Sequence, residues 1–250
     1  LVGLPPSFMR DVNDLELTNA WPGCDKDLKI PEIPLRCLTN WSVGKQLAAG
    51  NSAVVYTTIH KDATKRPNVA RISHLKHVKD TNKFKHDIHI RYLLSCGCIG
   101  ASITGLLDAF ICLDGNNKYG VTISERYDAT IVHFLLTLTS KRERNIFMEQ
   151  AQKQLPTILQ KMHACHVVHK DMIPGNILVR RSDTSTLEFA LTDFESAYML
   201  SDHGDPNAIR GFTAYKHNDE RELTRILTGL QTVCNYMNKE IVTVDAATLA

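Results

Sequence analysis

Two aspartates and an asparagine stand where chemistry is possible. Asp171 and Asn176 belong to His169-Lys170-Asp171-Met172-Ile173-Pro174-Gly175-Asn176, which runs straight into the apolar strand Ile177-Leu178-Val179. A turn rich in Ser, Asp and Thr (residues 180–186) leads to a second apolar run at 187–191, and then to Thr192-Asp193-Phe194-Glu195. Two short strands joined by a polar turn predict a hairpin. A hairpin returns the chain to its start, so the loop before it and the acid after it are brought close together. Asp and Asn oxygens are hard ligands, of the kind that hold magnesium on a phosphate substrate. The plainer alternative is that these polar side chains only cap loops.

The elements that must position them follow from periodicity. Residues 1–40 carry Pro5, Pro6, Pro22, Pro31 and Pro34 with little pattern. They predict an extended arm along the outside of the next domain, with Trp21 as an anchor, or else a disordered one. Residues 41–47, 53–60 and 68–72 are β-rich runs separated by Gly50-Asn51 and by the polar turn 61–67. A helix over 84–94 places Phe84, Ile88, Tyr92 and Leu93 on one face. Two more strands, 101–112 and 119–123, flank the turn 113–117. Helices are then expected over 131–138 and 143–165. Phe147, Ala151, Leu155, Ile158 and Met162 form the buried face of the longer one. Its Pro156 removes a backbone hydrogen bond at a cost of about 3 kcal/mol, so a kink or restart is expected there. Asn218-Asp219 predicts an N-cap opening a last helix that aligns Leu223, Ile226, Leu227 and Leu230.

Composition narrows the classes. With 250 residues, 43% hydrophobic and 22% charged, the chain can bury one large core or two lobes sharing a cleft. A formal charge of +2 argues against nucleic acid as the main partner. The basic stretch 61–91 is expected to be a solvated face. The longest apolar run, 103–113, is interrupted by Asp108 and too short to span a bilayer, so no membrane association is expected. Seven cysteines without metal-ligand spacing predict reduced thiols in a cytoplasmic or nuclear protein. His163, His166 and His169 are spaced like metal ligands, but packed helix-end histidines are the expectation.

The pattern H-x-D-x-x-x-x-N followed by D-F resembles the catalytic loop and metal-binding segment of protein kinases. The resemblance spans about 41–238. It implies an α+β, bilobal protein-kinase-like fold: a small β-rich N-lobe over 41–124, after the 1–40 extension, and a mostly helical, shortened C-lobe over 125–250. It makes Asp171 the group that orients the acceptor hydroxyl, and Asn176 and Asp193 the magnesium ligands. Other carried-over positions concern ATP. Leu47-Ala48-Ala49-Gly50-Asn51-Ser52-Ala53-Val54-Val55 resembles the glycine-rich loop, keeping Gly50 and Val55, with Ala48 and Ala53 in place of the flanking glycines. Val69-Ala70-Arg71-Ile72 resembles V-A-I-K with arginine for lysine, and Asp87 replaces the helix glutamate. A longer cation and a shorter carboxylate would together preserve an Arg71–Asp87 ion pair, leaving Arg71 to reach phosphates. Ser124-Glu125-Arg126-Tyr127 resembles the hinge, whose backbone groups at Glu125 and Tyr127 would bind the adenine edge; small Ser124 predicts an open rear pocket. Arg210 to Tyr215 resembles the peptide-docking turn, and Asp219 the aspartate that ties the last helix to the catalytic loop.

Departures divide the functional reading. Ile173 stands where Ser/Thr kinases place a lysine, and Glu195 replaces the glycine of D-F-G. Intact Asp171 and Asp193 favour an ATP- and magnesium-dependent kinase of protein Ser/Thr hydroxyls. Arg71, Ile173, Glu195 and the worn glycine loop favour a pseudokinase that works through a regulatory protein partner. H-x-D-x-x-P-x-N with D-F-E is also similar to small-molecule kinases of the choline and aminoglycoside type, as is Asp202-His203-Gly204-Asp205-Pro206 in part.

Overall fold

A computed structural model describes residues 32–34, 41–49, 53–60, 68–97, 102–114, 116–182, 186–200 and 205–248. Trp21 and most of the 1–40 arm, and Gly50 of the glycine-rich loop, lie outside the described residues. The fold is α+β, sheet-rich in its N-terminal region and helical in its C-terminal part. The chain divides into two compact units, Leu1–Arg126 with Asp193–Ser196, and Tyr127–Thr192 with Ala197–Ala250.

The first unit is built on a six-stranded sheet of order β1-β5-β6-β4-β3-β2. Its strands are β1 (Glu32–Pro34), β2 (Trp41–Ala49), β3 (Ala53–His60), β4 (Asn68–His74), β5 (Leu106–Asp114) and β6 (Asn117–Glu125). All neighbours are antiparallel except β1, which runs parallel to β5 at the edge. Strand β4 is central, and Arg71 on it faces Val55 on one side and Thr122 on the other. Helix α1 (Val78–Gly97) is longer than the predicted 84–94. Conversely β5 begins at Leu106 rather than 101.

Alternation along the strands divides the buried residues into two clusters. Phe84, Ile88 and Tyr92 of α1 pack with Leu75, Leu106, Ala109 and Ile111. Ala70, Phe110, Cys112, Val121 and Ile123 form the other cluster, bordered by Trp41 and Ile72. Gly120 is what lets α1 approach: a Cβ there would sit 2.6 Å from two carbons of the Phe84 ring.

The second unit holds the predicted hairpin. Strands β9 (Ile177–Arg181) and β10 (Leu187–Leu191) are antiparallel, with Ile177 opposite Leu191, and β7 (Ala129–Thr130) joins the outer side of β9. A two-residue strand β8 (Val167–Val168) pairs with β11 (Tyr198–Met199). Helix α2 (Ile131–Thr137) precedes α3 (Lys141–Ala164). A capping box starts α3: Ser140 Oγ accepts from the Glu143 N–H at 3.1 Å, and Glu143 Oε2 accepts from the Ser140 N–H at 3.1 Å. Phe147 on α3 lies 6.0 Å from Phe134 and 5.9 Å from Phe189, ring centre to ring centre. The restart expected at Pro156 does not occur. Pro156 and Gln152, whose carbonyl loses its N–H partner, are both on the exposed side, where water is at hand.

The largest departure is α4, which spans Pro206–Thr248. It absorbs Arg210 to Tyr215, so no peptide-docking turn forms there, and Asn218-Asp219 lies within the helix instead of opening it. The start signal is Asp205-Pro206: Asp205 Oδ1 accepts from the Asn207 N–H at 2.9 Å and its carbonyl from the Ile209 N–H at 3.0 Å. Proline in the first helical position has no N–H to satisfy. Phe212 is thereby set against Val168 and Leu200.

Cys112 and Cys165 each take part in a disulfide, which overturns the all-thiol expectation at these two positions; Cys234 is free and buried. Among the described residues no helix is long and apolar enough to cross a membrane.

Two expectations concern the first unit. Gly120→Ala should lower the denaturant midpoint at unchanged slope, by about 1–3 kcal/mol, because the Phe84 ring must move. His89 is 8% exposed, and burial, with the His86 charge adding to it, pushes its pKa down to about 4. The unfolded chain therefore binds this proton between about pH 6.5 and 4 while the folded one does not. Stability should be full above that window and fall as pH drops through it, by up to about 3 kcal/mol. Urea denaturation across the window should show the decline, and His89→Gln should remove its share.

Candidate active site

In the second unit the site is the segment from β8 to β9, held by one buried carboxylate. Asp219 is fully buried on α4. Its Oδ2 accepts from the His169 N–H at 2.7 Å and its Oδ1 from the Lys170 N–H at 2.9 Å. His163 Nε2 lies 3.3 Å from Oδ2. These bonds hold Lys170 at φ 64°, a left-handed conformation that lysine seldom adopts. The loop tie expected of Asp219 is thus present, although from mid-helix. Lys170 Nζ rests 4.3 Å from the centre of the Tyr215 ring. His169 is buried, with Nε2 3.0 Å from the Thr192 carbonyl. Among the described residues no His, Cys, Asp and Glu side chains gather to hold a metal; His163 and His169 are buried with polar partners.

Asp171 and Asn176 are brought together. The Asn176 Nδ2 donates to Asp171 Oδ2 at 3.0 Å and to the Asp171 carbonyl at 2.9 Å. A 3₁₀ turn, Pro174–Asn176, links them, closed by Asn176 N–H to the Ile173 carbonyl at 3.0 Å. The Asn176 carbonyl accepts from the Thr192 N–H at 3.1 Å, which fixes the loop to the residue before Asp193. Ile173 projects outward, 47% exposed.

In the first unit the site is Arg71 with the segment Asp193–Ser196. The expected Arg71–Asp87 ion pair is replaced. Arg71 Nη2 donates to Glu195 Oε1 at 2.8 Å and lies 3.5 Å from Asp193 Oδ2. Asp87 is otherwise engaged: its Oδ1 accepts from the Phe194 N–H at 2.6 Å, and its Oδ2 lies 3.6 Å from Arg91 Nη1, one turn along α1. Aspartate, one methylene shorter than glutamate, stays beside its own helix and takes a backbone donor. Asp193 has φ 66°. Arg91, 3% exposed, also donates to the Thr104 carbonyl at 2.9 Å and to Ser124 Oγ at 2.7 Å. A guanidinium, rather than open space, therefore faces Ser124.

Electrostatics follow this arrangement. Burial opposes the charge on Arg71, but Asp193, Asp87 and Glu195 outweigh it and raise its pKa. Burial raises the Glu195 pKa; Arg71 pulls it down, and Asp193 and Asp87 push it further up. Burial lowers the Arg91 pKa, with Asp87 opposing. Glu195 as the counter-ion of Arg71 was missed in the sequence, since the two are far apart along the chain. The Asp87–Arg91 pair was open to detection as an i, i+4 spacing on a predicted helix.

The remaining hinge positions fall in different units. The Glu125 N–H donates to the Gly105 carbonyl at 3.1 Å. The Tyr127 ring is 7% exposed, with the Arg180 guanidinium 4.8 Å from its centre.

Residues 136–202 match the model of the lipopolysaccharide kinase (Kdo/WaaP) family. The matched stretch contains both the 169–176 loop and Asp193-Phe194-Glu195. It supports a protein-kinase-like superfamily member and a kinase-type phosphotransferase, and lends nothing to a eukaryotic Ser/Thr protein kinase in particular. No curated protein matches the chain.

Asp219→Ala should strip the acceptor from a buried N–H, at His169, and from a part-buried one on the left-handed Lys170. The expected loss is about 3 kcal/mol or more, read as a lower denaturation midpoint, with Asp219→Asn intermediate because it keeps one acceptor oxygen.

Proposed function

We propose that the chain is an ATP-dependent phosphotransferase whose acceptor is a hydroxyl of a sugar or other small molecule rather than a protein Ser or Thr. The observation that carries phosphotransfer is the Asp171–Asn176 pair, whose carboxylate is gripped by the amide within a loop held on Asp219. Three features favour the small acceptor. Ile173 puts an exposed apolar side chain where Ser/Thr kinases carry a lysine, residues 210–215 are helical instead of a docking turn, and the matched family is one of lipopolysaccharide kinases.

In this reading Asp171 accepts a hydrogen bond from the acceptor hydroxyl and orients it in line with the γ-phosphorus. The oxygen–phosphorus bond forms as the bond to the β-γ bridging oxygen breaks; the proton passes to Asp171 and ADP leaves. Arg71 takes the nucleotide phosphates, and backbone groups of Glu125 and Tyr127 the adenine edge. Asn176 and Asp193 each carry a side-chain oxygen of the kind magnesium takes. The Asn176 nitrogen is committed to Asp171, and its side-chain oxygen has no hydrogen bond among the described residues. Asp193 is 34% exposed, with Arg71 no nearer than 3.5 Å. Magnesium commonly takes one or two carboxylates and completes its shell with phosphate and water. The ion would neutralise charge developing on the phosphate oxygens.

The test is transfer from labelled ATP with magnesium to a panel of sugars, lipid-linked saccharides and small alcohols, beside a generic basic protein. Transfer to a small hydroxyl is expected, reduced about 10²- to 10⁴-fold in Asp171→Asn. Transfer to protein alone would overturn the acceptor class. Thermal stabilisation by ATP without transfer to anything would favour a nucleotide-binding pseudokinase, a reading that the engagement of Arg71 by two carboxylates also supports.

A further inference from the structure

We propose that Glu195 sets nucleotide affinity: it holds Arg71 in the place of a phosphate, and nucleotide binding must release it. The inference rests on the nucleotide reading of Arg71 above. Both residues, and every group invoked below, belong to the first unit.

Arg71 gives its shortest contact to Glu195, at 2.8 Å, with Asp193 at 3.5 Å. Asp87 does not compete, because the Phe194 N–H and Arg91 occupy it. A guanidinium recognises carboxylate and phosphate with the same forked geometry, so one can replace the other on it. The Glu195 side chain is 24% exposed and so within reach of exchange. It also shares the Arg71 Nη2 with a like charge, Asp193. By contrast, Asp87 is a poor candidate for release: it is almost fully buried, and leaving would strand the Phe194 N–H.

The released carboxylate has somewhere to go. Glu195 forms part of the wall of a hollow of about 660 Å³ between β3, β4 and the start of α1. Tyr56, Ser73, Lys76, Lys83 and Tyr119 line the same hollow. Lys76 and Lys83 are exposed cations on that wall, which also carries Asp80, and in this proposal they take the freed Glu195 carboxylate.

Calorimetric titration of the full chain with ADP and magnesium chloride tests this. Glu195→Gln, nearly isosteric, should bind about two- to fivefold tighter than the parent, the fold-change expected when one partly exposed ion pair no longer has to be broken. Arg71→Ala should bind more weakly, and adding Glu195→Gln to it should bring no gain, a coupling that a merely structural role would not produce. Replacing Lys76 and Lys83 together by alanine should weaken binding, because the freed carboxylate loses its landing place. Thermal unfolding without nucleotide confirms that each variant is folded. Parent binding with equal or weaker binding in Glu195→Gln would overturn this inference and leave the nucleotide reading standing. A gain in Glu195→Gln that persists without Arg71 would also overturn it. No binding in either protein would overturn both.

Discussion

A carboxylate with almost no water around it has to find donors, and in the second unit Asp219 finds them on the loop it is meant to hold. The cost of burying an ionised group is several kcal/mol unless hydrogen bonds replace its hydration. Asp219 has no Arg or Lys partner among the described residues; it has the His169 and Lys170 N–H groups and the His163 ring. Lys170 is consequently kept in a left-handed conformation, and the chain turns there toward Asp171. The requirement runs the other way as well. Helix α4 must pass under the loop with Asp219 pointing at it, and the packing of Phe212 on Val168 and Leu200 sets that height.

Charge placement in the first unit obeys a similar economy. Arg71 and Arg91 share three acids, Asp87, Asp193 and Glu195. Arg91 is almost wholly buried and anchors Asp87, the Thr104 carbonyl and the Ser124 hydroxyl, so it acts as a structural cation. Arg71 lies nearer water and keeps the two acids of the Asp193–Ser196 segment. Asp87 then acts on the backbone of that segment through the Phe194 N–H. A longer carboxylate at 87 could have reached across to Arg71; the shorter one leaves the role to Glu195.

Phosphoryl transfer asks little covalent chemistry of a protein and a great deal of positioning. The loop supplies that positioning with few parts. Asn176 orients Asp171, the 3₁₀ turn spaces them, and Thr192 closes the loop onto the hairpin. Ile173 adds no charge to the reacting phosphate. In the proposed reaction that leaves Arg71 as the cation for the phosphates, which places weight on whatever competes for it.

Much of this was legible in residue order. The hairpin, the loop before it, the Asp171–Asn176 spacing and the amphipathic face of α3 all depend on neighbours within a few residues, where alternation and helical period speak directly. Asp219 was recognisable by its pattern, and its partners were as expected. The start of α4 was not: Asp205-Pro206 carried the signal, but 210–215 resembled a docking turn and Asn218-Asp219 an N-cap, while in the fold Phe212 is buried against Val168 and Leu200 within a continuous helix. The ion pairs of Arg71 were hidden for another reason. Which of three acids a cation meets depends on ångström differences in reach between a strand, a helix and a returning segment more than a hundred residues away. Local sequence determines elements and the chemical types they carry; the choice among competing partners of like charge belongs to the packed fold, because Coulomb energy is spent on distance and distance exists only once the elements are in place.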